Sequence, residues 1–186
     1  MLMPKSSKIK IRNLKHSPMV SAFLFLMGLV LGAKLDLDFG GLVSFTLQTL
    51  FLGLAYYYLP TKWRLAAILI YLALGILGVP VFNGGVGWSY FISFPLGFFI
   101  GFVLAAMVPR PSTNGLMSVF IFMLQIHAVI VVAGIVGIAW YSGSYITALE
   151  TAMDILPGAV IKSAVGAAVV LGVNRFKVSI KSNNSI

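Results

Sequence analysis

Leu156-Pro157-Gly158-Ala159-Val160-Ile161-Lys162-Ser163 opens an apolar run that continues through Gly166 to Val173. After Pro157 its only polar side chains are Lys162 and Ser163. The run is long and apolar enough to read as a helix that crosses a bilayer. An ammonium inside such a helix costs about 2.5–3.5 kcal/mol on insertion scales, so its presence asks for a reason. Two are open: a stem that snorkels its head to the lipid headgroups, or a functional site.

The rest of the chain has the same character. It has 186 residues, 60% of them hydrophobic and 9% charged, with a mean hydropathy of +1.02. No water-soluble domain of this size has that balance, and the reading is an all-α integral membrane protein. At roughly 20 residues per crossing the length allows about six transmembrane helices, with no room for a soluble domain. The net charge of +9 lies mostly outside the apolar runs, which points to orientation and anionic lipid rather than nucleic acid. With no cysteine there is no disulfide, thiolate nucleophile or cysteine-ligated metal. His16 and His127 lie too far apart in the chain to read as a metal-ligand pair, and no cofactor is expected. A long apolar run follows the basic tail with no small-residue cleavage signature, so it reads as a first span rather than a removed signal.

The domain organisation is a basic tail over residues 1–16, a six-helix membrane domain over 17–174 and a second basic tail over 175–186. Spans are expected at about 17–33, 45–59, 65–79, 91–108, 116–140 and 157–173. Pro18 suits the start of the first. Gly28 and Gly32 lie four apart on one face of it and would let another helix approach closely, as would Ser17 and Ser21. Between the third and fourth spans, Pro80-Val81-Phe82-Asn83-Gly84-Gly85-Val86-Gly87-Trp88-Ser89-Tyr90 mixes three glycines, aromatic rings and an amide. It reads as an interfacial loop with a Trp/Tyr belt or as part of a site. Gln125 and His127 are two apart on the fifth span and do not share a face; His127 reads as a hydrogen-bonded packing residue.

The basic residues set the orientation. Lys5, Lys8, Lys10, Arg12, Lys15, Lys62, Arg64, Arg110, Arg175, Lys177 and Lys181 are eleven of the thirteen, and all fall on one side of the six-span arrangement. All four acids, Asp36, Asp38, Glu150 and Asp154, fall on the other side with Lys34. The positive-inside rule then places both termini in the cytoplasm. The last span runs inward, and Lys162 is expected in the outer half of the membrane, about 8 Å below a helix start at Pro157. A cation near a helix N-terminus is disfavoured by the dipole. An incoming carboxylate would be favoured there by the ammonium and by free backbone N–H groups.

Three stretches resemble one family. Val43-Ser44-Phe45-Thr46-Leu47-Gln48-Thr49-Leu50-Phe51 resembles the V-P-F-T-L-Q-T-L-F stretch of the bacterial biotin transporter BioY family. Tyr71-Leu72-Ala73-Leu74-Gly75-Ile76-Leu77-Gly78-Val79-Pro80-Val81-Phe82, followed by Gly84-Gly85, resembles its Y-L-x-L-G-x-x-G-x-P-V-F-x-G-G. Leu156-Pro157-Gly158 with Lys162 resembles its P-G-D-x-x-K, with Ala159 where the family has aspartate. In the fourth span, Phe94-Pro95-Leu96-Gly97-Phe98-Phe99 keeps the proline and one glycine of the family's G-P-T-G-G-Y.

The resemblance implies an S-component-like bundle in the cell membrane, the substrate-capture part of an energy-coupling-factor transporter. Such a chain takes biotin from outside and passes it inward with a membrane coupling protein and two ATPase subunits. It maps the family's carboxylate-binding lysine onto Lys162 and makes the first helix, with Gly28 and Gly32, the docking face for the coupling protein. By location, Asn83 and Gln48 are candidate polar contacts, and Phe82, Trp88 and Tyr90 candidate apolar walls. Ala159 keeps open another carboxylated vitamin or precursor as ligand. Two further readings stand apart from the family: an intramembrane enzyme using His127 with a serine such as Ser118, and a purely structural membrane subunit.

Overall fold

The structure, a computed structural model, describes residues 17–37 and 45–183. The expectations for the tail at 1–16, for Asp38 and for the Val43-Ser44 opening of the first family stretch lie outside these residues. The described chain forms seven helices: α1 (Pro18–Lys34), α2 (Gln48–Tyr58), α3 (Thr61–Ile76), α4 (Gly87–Phe91), α5 (Leu96–Ala105), α6 (Leu116–Ser142) and α7 (Tyr145–Asn183). A two-residue antiparallel ladder joins β1 (Asp36–Leu37) to β2 (Phe45–Thr46), pairing Asp36 with Thr46 and Leu37 with Phe45.

The all-helical membrane class holds, but the count of six full crossings is not confirmed. Among the described residues only α6, with 27 residues, and α7 combine the length and hydropathy of a complete crossing. α1 has 17 residues and α5 only 10. Of the expected span at 91–108 only α5 is a helix of any length, because α4 ends at Phe91 and the chain breaks from Ile92 to Pro95 before α5 begins. The expected connector at 141–155 is mostly helix. α6 runs on to Ser142, Gly143 turns with φ 66°, and α7 begins at Tyr145. Pro157 therefore sits inside α7 rather than at its start. Proline inside a membrane helix is tolerated where neighbouring groups re-satisfy the freed carbonyl. At the far end the helix does not stop at Val173 but continues to Asn183.

Local sequence explains most ends. Pro18 occupies the first turn of α1, where its missing N–H costs nothing, and Lys34 sits in the last turn, where a cation suits the dipole. Gly143 supplies the left-handed residue that closes α6.

α1, α2 and α3 pack as one group and α5, α6 and α7 as another, joined by α2 against α6 and α7 and by α3 against α5. Two buried polar side chains tie the groups together. Tyr56 OH donates to Phe102 O at 2.6 Å. Arg64, 2% exposed, donates from Nε to Leu59 O (2.9 Å) and from Nη1 to Ala106 O (3.2 Å) and Val108 O (2.8 Å). Its guanidinium carbon lies 5.9 Å from the ring centres of both Tyr56 and Phe122. Arg64 thus closes the α2–α3 turn onto the end of α5 instead of facing water. α5 and α6 approach at Gly97 and Gly137, where a Cβ on Gly97 would stand 2.8 Å from the Gly137 Cα. Small residues permit that contact.

Candidate functional site

The stretch after α3 is held at three successive carbonyls. Gly78, Gly84 and Gly87 take φ of 93°, 85° and 80°, backbone that a side chain would strain. They let the chain turn back over α3. Val81 O then accepts from Tyr71 OH of α3 at 3.2 Å. Phe82 O accepts from Lys34 Nζ, at the end of α1, at 2.5 Å. Asn83 O accepts from Tyr90 OH of α4. Gln48, in the first turn of α2, donates from Nε2 to Tyr71 OH at 2.6 Å. Gln48, Tyr71 and Val81 O therefore form one chain of hydrogen bonds, and four elements converge on residues 81–83.

Lys162 enters from α7. Its Nζ donates to Thr46 O at 3.2 Å, two residues before Gln48. The ammonium does not snorkel toward the distant end of α7; it turns inward to the strand that leads into α2. It lies seventeen residues into the helix, about 26 Å from its start at 1.5 Å per residue. The expected helix N-terminus beside it is absent, so dipole and free N–H groups do not contribute there. What remains at this point is the charge itself.

The residues singled out by sequence fall into four places. Gln48, Asn83, Tyr90 and Lys162 belong to elements that meet around β2 and the 81–83 turn. Phe82 is 0% exposed. Its ring lies 5.4 Å from that of Tyr71 and 4.5 Å from that of Phe99, so it plugs the core behind the turn. Trp88 is 60% exposed and stacks on Phe91 at 5.7 Å, facing outward. Gly28 and Gly32 both lie against the Phe51 ring of α2, where Cβ atoms would stand 2.9 Å and 2.7 Å from it. Their small face is filled within the chain. Tyr71 and Lys34 were not singled out. Tyr71 stands in a quoted motif and Lys34 is one of few cations beside an apolar run, but neither signals a backbone partner in sequence.

His127 does not pair with Ser118, whose Oγ lies 2.6 Å from Thr113 Oγ1 near the start of α6. It meets Ser163 instead, with Nδ1 at 3.0 Å from Ser163 Oγ and 2.9 Å from Met123 O. The pairing of His127 with Ser118 is therefore not formed, and the serine that does meet His127 gives its own hydrogen to Ala159 O. An apolar groove of about 610 Å³ between α5 and α6, lined by Gly97, Ile100, Val132 and Trp140 among others, offers no cation for a carboxylate.

Comparison with known proteins agrees with this architecture. A biotin transporter BioY of Thermotoga maritima is 35% identical over 91 residues, 48% of this chain and 53% of that protein. A probable biotin transporter BioY of Lysinibacillus sphaericus is 42% identical over 67 residues, 36% of this chain and 34% of that one. The chain thus spans about half, and about a third, of the length of these curated relatives. The crystal structure of the S-component for biotin from an ECF-type ABC transporter superposes with a TM-score of 0.68 at 17% identity, covering 88% of this chain and 94% of that one. At that identity the likeness establishes the fold. The family match itself covers residues 3–178, nearly the whole chain: this protein belongs to the BioY family.

Proposed function

We propose that this chain is the substrate-capture component of a biotin uptake transporter. It would take biotin from outside the cell membrane and pass it inward with a membrane coupling protein and ATPase subunits of an energy-coupling-factor module. The observation that carries the reading is the inward-turned Lys162, bonded to Thr46 O beside the Gln48–Tyr71 chain. A carboxylate brought to that ammonium gains a charge-assisted bond worth roughly 1.5–3 kcal/mol. The relatives' names supply the identity of the ligand, and the family fold supplies the geometry.

In this reading Lys162 takes the carboxylate, and Gln48 and Asn83 line the polar part of the site. Phe82 backs it from the core, and Tyr90 holds the turn. Both termini lie in the cytoplasm, as the basic residues require. A second ligand reading rests on Ala159, which is 5% exposed and places a methyl group where the family has a carboxylate. Another carboxylated vitamin or precursor would suit a site altered there.

The test compares biotin with an uncharged biotin amide on purified protein. Wild type should prefer the acid, and Lys162→Met should lose about 10- to 150-fold in acid affinity while the amide changes little. Equal binding of acid and amide by the wild type would remove Lys162 as the carboxylate reader. A protein that binds neither, but retains a different vitamin through purification, would favour the second reading.

A further inference from the structure

His127 is buried on α6, 2% exposed, and its two ring nitrogens are used unequally. Nε2 is buried with no hydrogen-bond partner among the described residues. Nδ1 lies within reach of both Met123 O, at 2.9 Å, and Ser163 Oγ, at 3.0 Å. A carbonyl only accepts, so Nδ1 carries the proton and shares it between the two oxygens. Ser163, 0% exposed, donates its hydroxyl hydrogen to Ala159 O at 2.8 Å. Every hydrogen in the set is accounted for, and the set spans α6 and α7.

An apolar ring would fill this place without leaving a buried nitrogen unpaired, which is unfavourable. The imidazole therefore does something at Nδ1 that packing alone does not require, and what it does is anchor Ser163. Ser163 is the neighbour of Lys162. With Ser163 pinned to α6, the next residue back points about 100° around the helix, toward β2, where Lys162 reaches Thr46 O. Pro157 lies six residues earlier inside α7 and removes one backbone hydrogen bond there. The rotation of α7 is then set by its side-chain anchors as well as by its own ladder.

We propose that His127 is a positioning residue for Lys162. Through Ser163 it fixes the rotation of α7, so that the ammonium is presented to the ligand's carboxylate. This rests on the reading of Lys162 as the carboxylate contact.

The experiment uses the full chain in detergent, with biotin and biotin amide as probes, and three variants. His127→Asn keeps a donor, Nδ2, near the place of Nδ1. His127→Phe keeps ring bulk without it. Ser163→Ala deletes the anchor with a minimal change of volume and stands in where the phenylalanine variant fails to fold. The expected result is that His127→Phe and Ser163→Ala shrink the wild type's acid-over-amide preference from at least about 10-fold to about 2-fold. Amide binding should stay unchanged, and His127→Asn should keep most of the preference. Equal loss of both ligands in the first two variants would mean a merely structural role and would overturn the proposal. So would an unchanged preference in Ser163→Ala. A wild type with no preference at all would instead remove the carboxylate reading, and this inference with it.

Discussion

Lys34 and Phe82, 48 positions apart, are joined by a 2.5 Å hydrogen bond from the ammonium to the backbone carbonyl. The bond ties the end of α1 to the turn whose neighbouring carbonyls are held by Tyr71 and Tyr90. It sits in front of an aromatic plug, since the Phe82 ring packs on Phe99 and against Gly75. The last residue of the first helix thus bears on the position of Asn83.

Replacing Lys34 by methionine removes the donor and keeps most of the stem. A hydrogen bond to a charged group is worth up to about 3 kcal/mol, and the exposure of Lys34 reduces this to about 1 kcal/mol. Thermal unfolding in detergent should show that loss in Lys34→Met and recovery in Lys34→Arg. Hydrogen exchange at residues 83–86 should speed up in the methionine variant alone. No change at either readout would mean the bond does not hold the turn.

Arg64 makes the contrasting case, because it is buried and bonded to three carbonyls. Arg64→Leu leaves those carbonyls without their donor, at about 1–3 kcal/mol for a buried group. The variant should unfold well below the wild type. Arg64→Lys should recover only part of the loss, since a single ammonium cannot reproduce a planar fork reaching Leu59, Ala106 and Val108. Full rescue by lysine would show that charge, not geometry, matters there.

Much of this was legible in the sequence, and the misses have physical causes. Composition set the membrane class, and the family resemblance offered Lys162 as a candidate contact, with Gln48 and Asn83 candidates by location. The start of α7 was missed because Glu150 and Asp154 make Tyr145–Ile155 look like a polar connector. Yet Ala148, Thr151, Ala152 and Ala159 are buried, at spacings that mark one helical face. Charge outweighed periodicity in that reading, and periodicity was the better guide. Arg64 looked like one more cation in a basic turn because sequence does not report that a guanidinium has backbone carbonyls to meet. Gly28 and Gly32 did mark a close helix contact, but the spacing does not say whether the contact lies within the chain or outside it.

Orientation is open to a direct measurement, because the chain has no cysteine of its own. The α2–α3 turn and the 106–115 segment share one end of the bundle, tied by Arg64 and by Tyr57 OH to Asn114 Oδ1 at 2.8 Å. With Arg64 set aside as buried, ten of the thirteen basic residues still fall on that side of the proposed topology. Single cysteines at positions 3 and 183 should therefore resist impermeant reagents in intact cells and react after lysis. Labelling of either in intact cells would reverse the proposed topology.

The proposed docking of a coupling protein on α1 has a second candidate face. Gly28 and Gly32 are filled by Phe51, whereas Met19, Val20, Phe23, Leu24, Met27 and Leu31 form an exposed apolar face. Leucine at both glycines would drive into the Phe51 ring, at about 1–3 kcal/mol per overpacked site. Gly28→Leu with Gly32→Leu should therefore lower thermal stability and weaken biotin binding, losing uptake as a consequence. Phe23→Ala with Met27→Ala trims the exposed face without touching α2. That pair should keep biotin affinity within about 2-fold, since neither side chain reaches the site, while uptake in cells falls several-fold with the lost packing. Co-purification with the coupling module separates the two effects, because only the outer-face pair should yield a stable, biotin-binding chain that fails to hold its partner. A glycine variant that binds biotin and melts like wild type, yet loses the module, would return the docking role to Gly28 and Gly32 and place Phe51 at the partner's interface.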